Sequence, residues 1–165
     1  MLTQENLKKM LHYDTDTGVF TRLVRTSSRT KIGDIAGYLK SDGYRLIMVD
    51  GKNYYAHRLA FFYMTGDWPV ADIDHRNGVR DDNRWDNLRE ATRTENHQNR
   101  VMRSDNTSGF IGVDWHRQRG KWRAEIAVAG RRKSLGYFPT PEEAHAAYCA
   151  AKVEFHTFQP TGRNV

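Results

Sequence analysis

A chain of 165 residues has room for one ordinary domain or two small ones. Only 38% of its residues are hydrophobic, mean hydropathy is −0.80, and no apolar run is long enough to cross a membrane. The lone Cys149 excludes both an internal disulfide framework and a cysteine-based zinc ribbon. Aromatics at 12% supply material for a core and speak against disorder. A net charge of +6 and a pI near 9.5 favour an anionic partner, nucleic acid ahead of an acidic protein or a membrane surface. The N-terminus lacks an apolar h-region with a small-residue cleavage site, so the expected setting is the cytoplasm.

In chain order, Leu7, Met10 and Leu11 share one helical face, which predicts a short amphipathic helix over 3–12. Asp14, Asp16 and Gly18 resemble the opening of a calcium loop. The glycine stands at the fifth position and no glutamate closes the loop, so the segment reads as a plain turn into a strand. Strand patterns follow at 44–49 and 53–56, joined by Asp50-Gly51-Lys52, a hairpin-turn sequence. A helix is predicted from Ala56 to Met64, ended by Gly66 and Pro69.

The segment 72–100 carries the richest chemistry. Asp74-His75 ends a predicted strand (71–75), Asn77-Gly78 opens a loop, and 88–91 reads as a second strand. Thr92 and Glu95 form a capping box, so a helix begins there with Asn96 in its first turns. Hydrolysing a phosphodiester requires a cation to stabilise developing charge and a base to activate water. A carboxylate and an amide oxygen are hard ligands suited to Mg²⁺ or Mn²⁺. A histidine, with an unperturbed pKa near 6.5, can be the base. Asp74, Asn96 and His75 can fill these roles, and strand alternation sends Asp74 and His75 to opposite faces.

His57-Arg58-Leu59-Ala60, Ile73-Asp74-His75-x-Asn77-Gly78, Asp82-Asn83-Arg84, Asn87-Leu88-Arg89 and Glu95-Asn96 together resemble the HNH nucleases, specifically the homing and free-standing endonucleases of phages and mobile introns. The resemblance covers about residues 40–100 and implies a ββα fold gripping one divalent metal. It implies His75 as general base, Asp74 and Asn96 as metal ligands, and Asn87 as the residue that braces the loop and orients His75. Asn96 replaces the final histidine of many relatives, with His97 and Asn99 as alternative ligands. Asn87 also suits a purely structural turn role, and His57 reads better as a core or capping histidine than as a phosphate contact.

A polar stretch over 103–109 reads as a linker. Three strands are predicted beyond it, at 110–116, 121–128 and 132–138. A helix then starts at Thr140-Pro141-Glu142-Glu143 with Ala144, Ala147, Tyr148, Ala151 and Phe155 on its apolar face. Period-2 alternation puts Trp122, Ala124, Ile126 and Val128 towards that helix. Arg123, Glu125 and Ala127 lie on the opposite face, with Arg132 and Ser134 beside Arg123 and Glu125. Arg117, Arg119 and Lys121 extend that face, and residues 108–138 hold seven basic side chains against two acidic ones. Such a ribbon suits a DNA groove. Arg131-Arg132-Lys133 also suits a solvated hairpin, and Trp122 suits the core.

Gly112-Val113, Gly120-Lys121-Trp122, Ala124-Glu125-Ile126 and Leu135-Gly136-x-Phe138 resemble the DNA-binding domain of plant ethylene-response factors, the APETALA family. That resemblance implies a sheet laid in the major groove. Ile111 and Asp114 stand where the plant domains carry DNA-contacting arginines, and Ser134 replaces a contacting tryptophan, so the plant target sequence does not transfer.

The expectation is an α+β chain: an HNH domain over 1–103 with its ββα-metal core at about 70–101, a linker at 104–108, and a three-stranded antiparallel sheet on one helix over 109–158. The expected activity is metal-dependent cleavage of double-stranded DNA by a monomer or homodimer, with residues 1–56 adding DNA contacts; the competing class is a non-enzymatic DNA-binding regulator on an inactive nuclease scaffold.

Overall fold

A computed structural model of the chain describes residues 1–98, 102 and 105–158. The architecture is mixed α and β, built from small antiparallel sheets. By its internal contacts the chain divides into two compact units, Met1–Ala91 and Thr92–Val165.

The first unit opens with helix α1 (Gln4–Met10), shorter than the periodicity predicts. Thr3 caps it, accepting from the Asn6 amide at 3.2 Å. Leu11 leaves the helix to start strand β1 (Leu11–Tyr13), which pairs antiparallel with β2 (Phe20–Arg22). Between them the Asp14 carboxylate accepts from the amides of Asp16 and Thr17 at 2.9 and 3.1 Å, the turn predicted in place of a calcium loop. Gly18 sits at φ +73°, and a side chain there would run into the backbone of Asn83 and Arg84. Strands β3 (Tyr38–Leu39), β4 (Arg45–Val49) and β5 (Lys52–Tyr55) form a sheet in that order. Asp50 and Gly51, both at positive φ (49° and 73°), make the two-residue turn joining β4 to β5.

Helix α2 (Ala56–Thr65) follows β5 without a break and stops at Gly66, which adopts the left-handed conformation at φ +86°. Strand β6 (Asp72–His75) pairs antiparallel with β7 (Leu88–Ala91), setting Asp74 opposite Arg89 and His75 opposite Leu88. A single 3₁₀ turn, Trp85–Asn87, leads into β7. Leu7, Leu11, Phe20, Ile47 and Leu59 are fully buried and pack with Ile73 and Leu88 into one core. Each large apolar side chain so buried contributes about 1.5–3 kcal/mol.

The second unit contains helix α3 (Arg93–Gln98), strands β8 (Val113–His116), β9 (Lys121–Val128) and β10 (Arg131–Phe138), and helix α4 (Pro141–Phe155). The sheet order is β10-β9-β8, antiparallel throughout. Strand β8 begins at Val113, later than the apolar run from Phe110 predicts; Phe110 instead packs against the cluster of Val113, Ala124 and Ala144. Thr140 caps α4 by accepting from the Glu143 amide at 3.2 Å. Ala144, Tyr148 and Ala151 turn inward as the helical pattern predicts. Gly112, at φ +76°, lies flat against the Tyr148 ring, where a side chain would collide with it. The ladder between β9 and β10 skips a residue between Ser134 and Gly136.

Candidate active site and nucleic-acid interface

Strand β6 ends on the two most chemically loaded residues of the first unit. Asp74 is 7% exposed and faces Arg89 across the ladder; the guanidinium donates to Oδ2 from Nε at 3.0 Å and from Nη2 at 2.8 Å. His75 is 4% exposed. Its ring meets His57 edge-on at 5.2 Å between centroids and lies 5.9 Å from Tyr44. Burial depresses the His75 pKa, with the Asn83 contact and the Asp74 charge pulling the other way. His57 is driven further down, to about 3, by burial and then by the neighbouring His75 and Arg58. Its Nδ1 is buried without a hydrogen-bond partner among the described residues. The fold thus treats His57 as a neutral core residue stacked on Tyr55, at 5.4 Å between ring centroids.

The loop after His75 is held shut by Asn87. Its Oδ1 accepts from the Asn77 amide at 3.0 Å and its Nδ2 donates to the Asp82 carbonyl at 2.7 Å. Asn77 donates to the Asp82 carboxylate at 2.6 Å, and Arg84 closes on the same carboxylate at 2.7 Å. Those bonds, Arg84 first, hold Asp82 ionised below the usual carboxylate range. Asn87 thus ties Asn77 to Asp82 across the loop. The amide that reaches the His75 ring is that of Asn83, whose Oδ1 lies 3.4 Å from Nε2. Asn83 stands in the Asp82-Asn83-Arg84 run, where no periodicity marks a loop residue that folds back into the core.

Asn96 stands half-buried in α3, in the second unit. The capping box forms as predicted: the Thr92 amide and hydroxyl donate to Glu95 Oε2 at 2.9 and 2.7 Å, and the Glu95 amide donates back to Thr92 Oγ1 at 3.3 Å. The side chain of His97 and the whole of Asn99 lie outside the described residues. Among the described residues no three His, Cys, Asp or Glu side chains converge to form a cation cage.

In the second unit the outward face of the sheet carries Asp114, Arg123, Glu125, Arg132 and Ser134, with Arg117, Arg119 and Lys121 exposed at the β8–β9 turn. Ser134 pairs with Glu125 and Arg132 with Ala127, while the partner of Arg123 is Tyr137. The skipped residue, Leu135, is a β-bulge that exchanges faces along β10, a switch that strict alternation could not foresee. Gly136 was the available signal, since glycine within a strand often marks a bulge. Tyr137 then supports Arg119, whose guanidinium lies 4.5 Å from its ring centroid, and meets His116 at 5.0 Å.

This face is less basic than the charge count suggests. Arg123 donates to both Asp114 oxygens at 3.2 and 3.0 Å and sits 3.1 Å from Glu125, which also lies 3.5 Å from Arg132. Four side chains form an alternating acid–base line, and the uncompensated cations are at the turn. Trp122 packs on the helix side with Val113 and Ala124, as alternation predicts.

Comparison with known proteins divides the chain later than the two units do, between residues 98 and 108, so that α3 falls within the first match. The HNH endonuclease family model matches residues 54–98, and the AP2 domain model, the ethylene-response-factor type, matches residues 108–156. The chain thus carries a segment similar to HNH endonucleases followed by a segment similar to AP2 domains. It is similar to "Protein 3.8" of Escherichia phage T7, 37% identical over 63 residues that make up 38% of this chain and 52% of the relative, so the chain spans about half the length of that protein. No solved structure matches the chain significantly. No helix among the described residues is long and apolar enough to cross a membrane.

Proposed function

We propose that the chain is a metal-dependent DNA endonuclease of the homing HNH type, with a nuclease domain over 1–103 built on a ββα-metal core, a linker at 104–108, and a DNA-reading module over 109–158. The observation that carries this reading is His75, a buried imidazole whose pKa burial lowers, next to Asp74 within the segment matched to HNH endonucleases. A neutral imidazole can take a proton from water, which a histidinium cannot. The donor chemistry suits a hard cation: Asp74 offers a carboxylate oxygen and Asn96 an amide oxygen. Bound there, Mg²⁺ or Mn²⁺ would stabilise charge on the scissile phosphate.

The chain's own residues divide the remaining work. Arg89 offsets the charge of Asp74 and fixes the orientation of its carboxylate. Asn87 closes the loop beneath His75. His75 accepts the proton of the attacking water, leaving 3′-hydroxyl and 5′-phosphate ends. Arg117, Arg119, Lys121, Arg123, Glu125, Arg132 and Ser134 would meet double-stranded DNA from the module's outward face, and residues 1–56 would add contacts. With one catalytic centre per chain, a monomer would nick and a homodimer would cut both strands, in the cytoplasm of a host cell.

The test is incubation of supercoiled plasmid carrying a selected site with protein and Mg²⁺. Nicking that stops in EDTA and in His75→Ala supports the reading. DNA binding that is unchanged by EDTA with no nicking at any site would make the protein a regulator on an inactive scaffold.

A further inference from the structure

Strand β2 sends Phe20 and Arg22 to the same face, and both are buried. Phe20 closes the core, while Arg22, 9% exposed, stands where the pattern calls for an apolar side chain. A guanidinium cannot shed its charge, so a buried one needs acceptors for its N–H groups. Nη1 donates to the Met48 carbonyl at 3.3 Å, and Arg22 has no carboxylate partner among the described residues. Arg22 lines a cavity of about 630 Å³ in the first unit. None of its nitrogens is both sealed off and unbonded, so the donors left over open on that space.

The same cavity holds two acceptors. Asp34 gives one carboxylate oxygen to the Lys31 amide at 2.7 Å and keeps the other, and the Asp50 carboxylate accepts no hydrogen bond among the described residues. The walls include Met10, Met48 and Tyr38, of which Met48 is 52% and Tyr38 54% exposed. A simple anion fits this lining poorly, because one arginine is set against two carboxylates. The lining fits a ligand with acceptors for the guanidinium, donors for a carboxylate and a flat face for the thioethers and the Tyr38 ring. A nucleobase has all three. Guanine has them best: O6 and N7 match the arginine fork, and its ring N–H and amino group can donate to a carboxylate. The rim supplies charge for phosphates, since Arg25, Arg29 and Lys31 are exposed on the loop leaving β2 and none has a carboxylate partner among the described residues.

We propose that this cavity takes a single unpaired nucleobase, guanine in preference, with Arg22 and a carboxylate of Asp34 or Asp50 reading its edges. A base inside a duplex is stacked and paired, so it enters only once extruded, and extrusion costs least for a base that is already outside the stack. The proposal deepens the DNA-endonuclease reading and rests on it only for the source of the base; a free nucleotide carries the same chemistry.

The experiment measures binding of the full chain, in EDTA so that no cleavage competes, to a duplex with one bulged guanosine, to the same duplex fully paired, and to guanosine monophosphate. The bulged duplex should bind about tenfold tighter than the paired one at equal salt, and the ratio should fall to near one in Arg22→Met. In parallel, ¹³C-methyl-methionine spectra follow Met10 and Met48, assigned through Met10→Leu and Met48→Leu. The ring current of an entering base should move both methyl signals with the bulged duplex and neither with the paired one. If Arg22→Met does not fold, the wild-type methyl signals decide. Equal affinity for the two duplexes with both methyls unmoved by every probe overturns the proposal, as does a bulge preference that Arg22→Met retains. Guanosine monophosphate that moves the same methyls without any bulge preference supports the site and makes the free nucleotide its occupant. A protein that prefers the bulge but nicks no plasmid loses the nuclease reading and keeps the cavity; one that nicks plasmid and shows neither signal loses the cavity alone.

Discussion

Tyr13 and Asn83 stand seventy positions apart in the chain, yet the phenol of one donates to the backbone carbonyl of the other at 2.6 Å in the interior of the first unit. Removing a buried donor strands its acceptor, so Tyr13→Phe should cost about 1–3 kcal/mol. Burial, and then the charges of Asp14, Asp86 and Asp82, raise the Tyr13 pKa above its ordinary 10. The folded state thus holds its proton longer than the unfolded state. Stability from this group is complete below pH 10 and drains away as pH rises beyond it. Urea midpoints measured through that range should fall in the wild type and fall less in Tyr13→Phe.

His57 gives the opposite slope at the acid side. Its folded pKa of about 3 lies below the ordinary 6.5, so its contribution is complete above 6.5 and is lost as pH falls towards 3. At pH 5 the loss from this group alone is about 2 kcal/mol. The depressed His75 adds in the same direction. Urea unfolding near pH 7.5 and pH 5 should separate clearly, and His57→Phe should narrow the gap. Equal midpoints for the wild-type protein at the two pH values would show that neither histidine is held neutral.

Asp74 and Arg89 allow stability to be separated from activity. Both side chains are largely buried, 8% and 12% exposed. Arg89→Met leaves a carboxylate in the interior with its main counter-charge gone and should destabilise by about 3 kcal/mol. Asp74→Asn with Arg89→Met removes both charges and should regain much of that loss while cutting no DNA. If the double variant nicks plasmid at the wild-type rate, Asp74 is a structural ion-pair partner and nothing more.

On the second unit, Asp114 clasps Arg123, one of the residues proposed to meet DNA. Asp114→Asn should strengthen DNA binding several-fold at low salt, on the order of fivefold, and the gain should shrink as salt rises. Filter binding or anisotropy across a salt series would measure it. An unchanged affinity at low salt would mean that Arg123 already reaches DNA with the clasp closed, or never reaches it.

The elements that the sequence announced are those governed by local rules. The Thr92–Glu95 box, the Thr140 cap, the Asp50-Gly51 turn and the inward row of Ala144, Tyr148 and Ala151 all depend on residues a few positions apart, and each formed. The strand end at Asp74 and His75 belongs with them, because a strand followed by Asn77-Gly78 is a local pattern. The parts that escaped depend on distance in sequence. Asn83 is buried only when a hairpin from the N-terminus packs against it. The neutralisation of Arg123 depends on two strands meeting in one register, with Asp114 opposite it. A charge count cannot reveal that, because it sums side chains without regard to which ones touch.

The extra residue at Leu135 acts as a change of phase in β10. Before it, even-numbered positions share the outward face, as Arg132 and Ser134 do; after it, the outward position is Tyr137. A face inherited from an aligned relative therefore holds only as far as the bulge is shared. Taking Leu135 into the ladder as an ordinary paired residue would send Tyr137 inward, taking the ring from under Arg119, and bring Phe138 out of its packing against Val113 and Ala124. The surface offered to a partner is set here by a single step in counting, with every side chain on either side of it left unchanged.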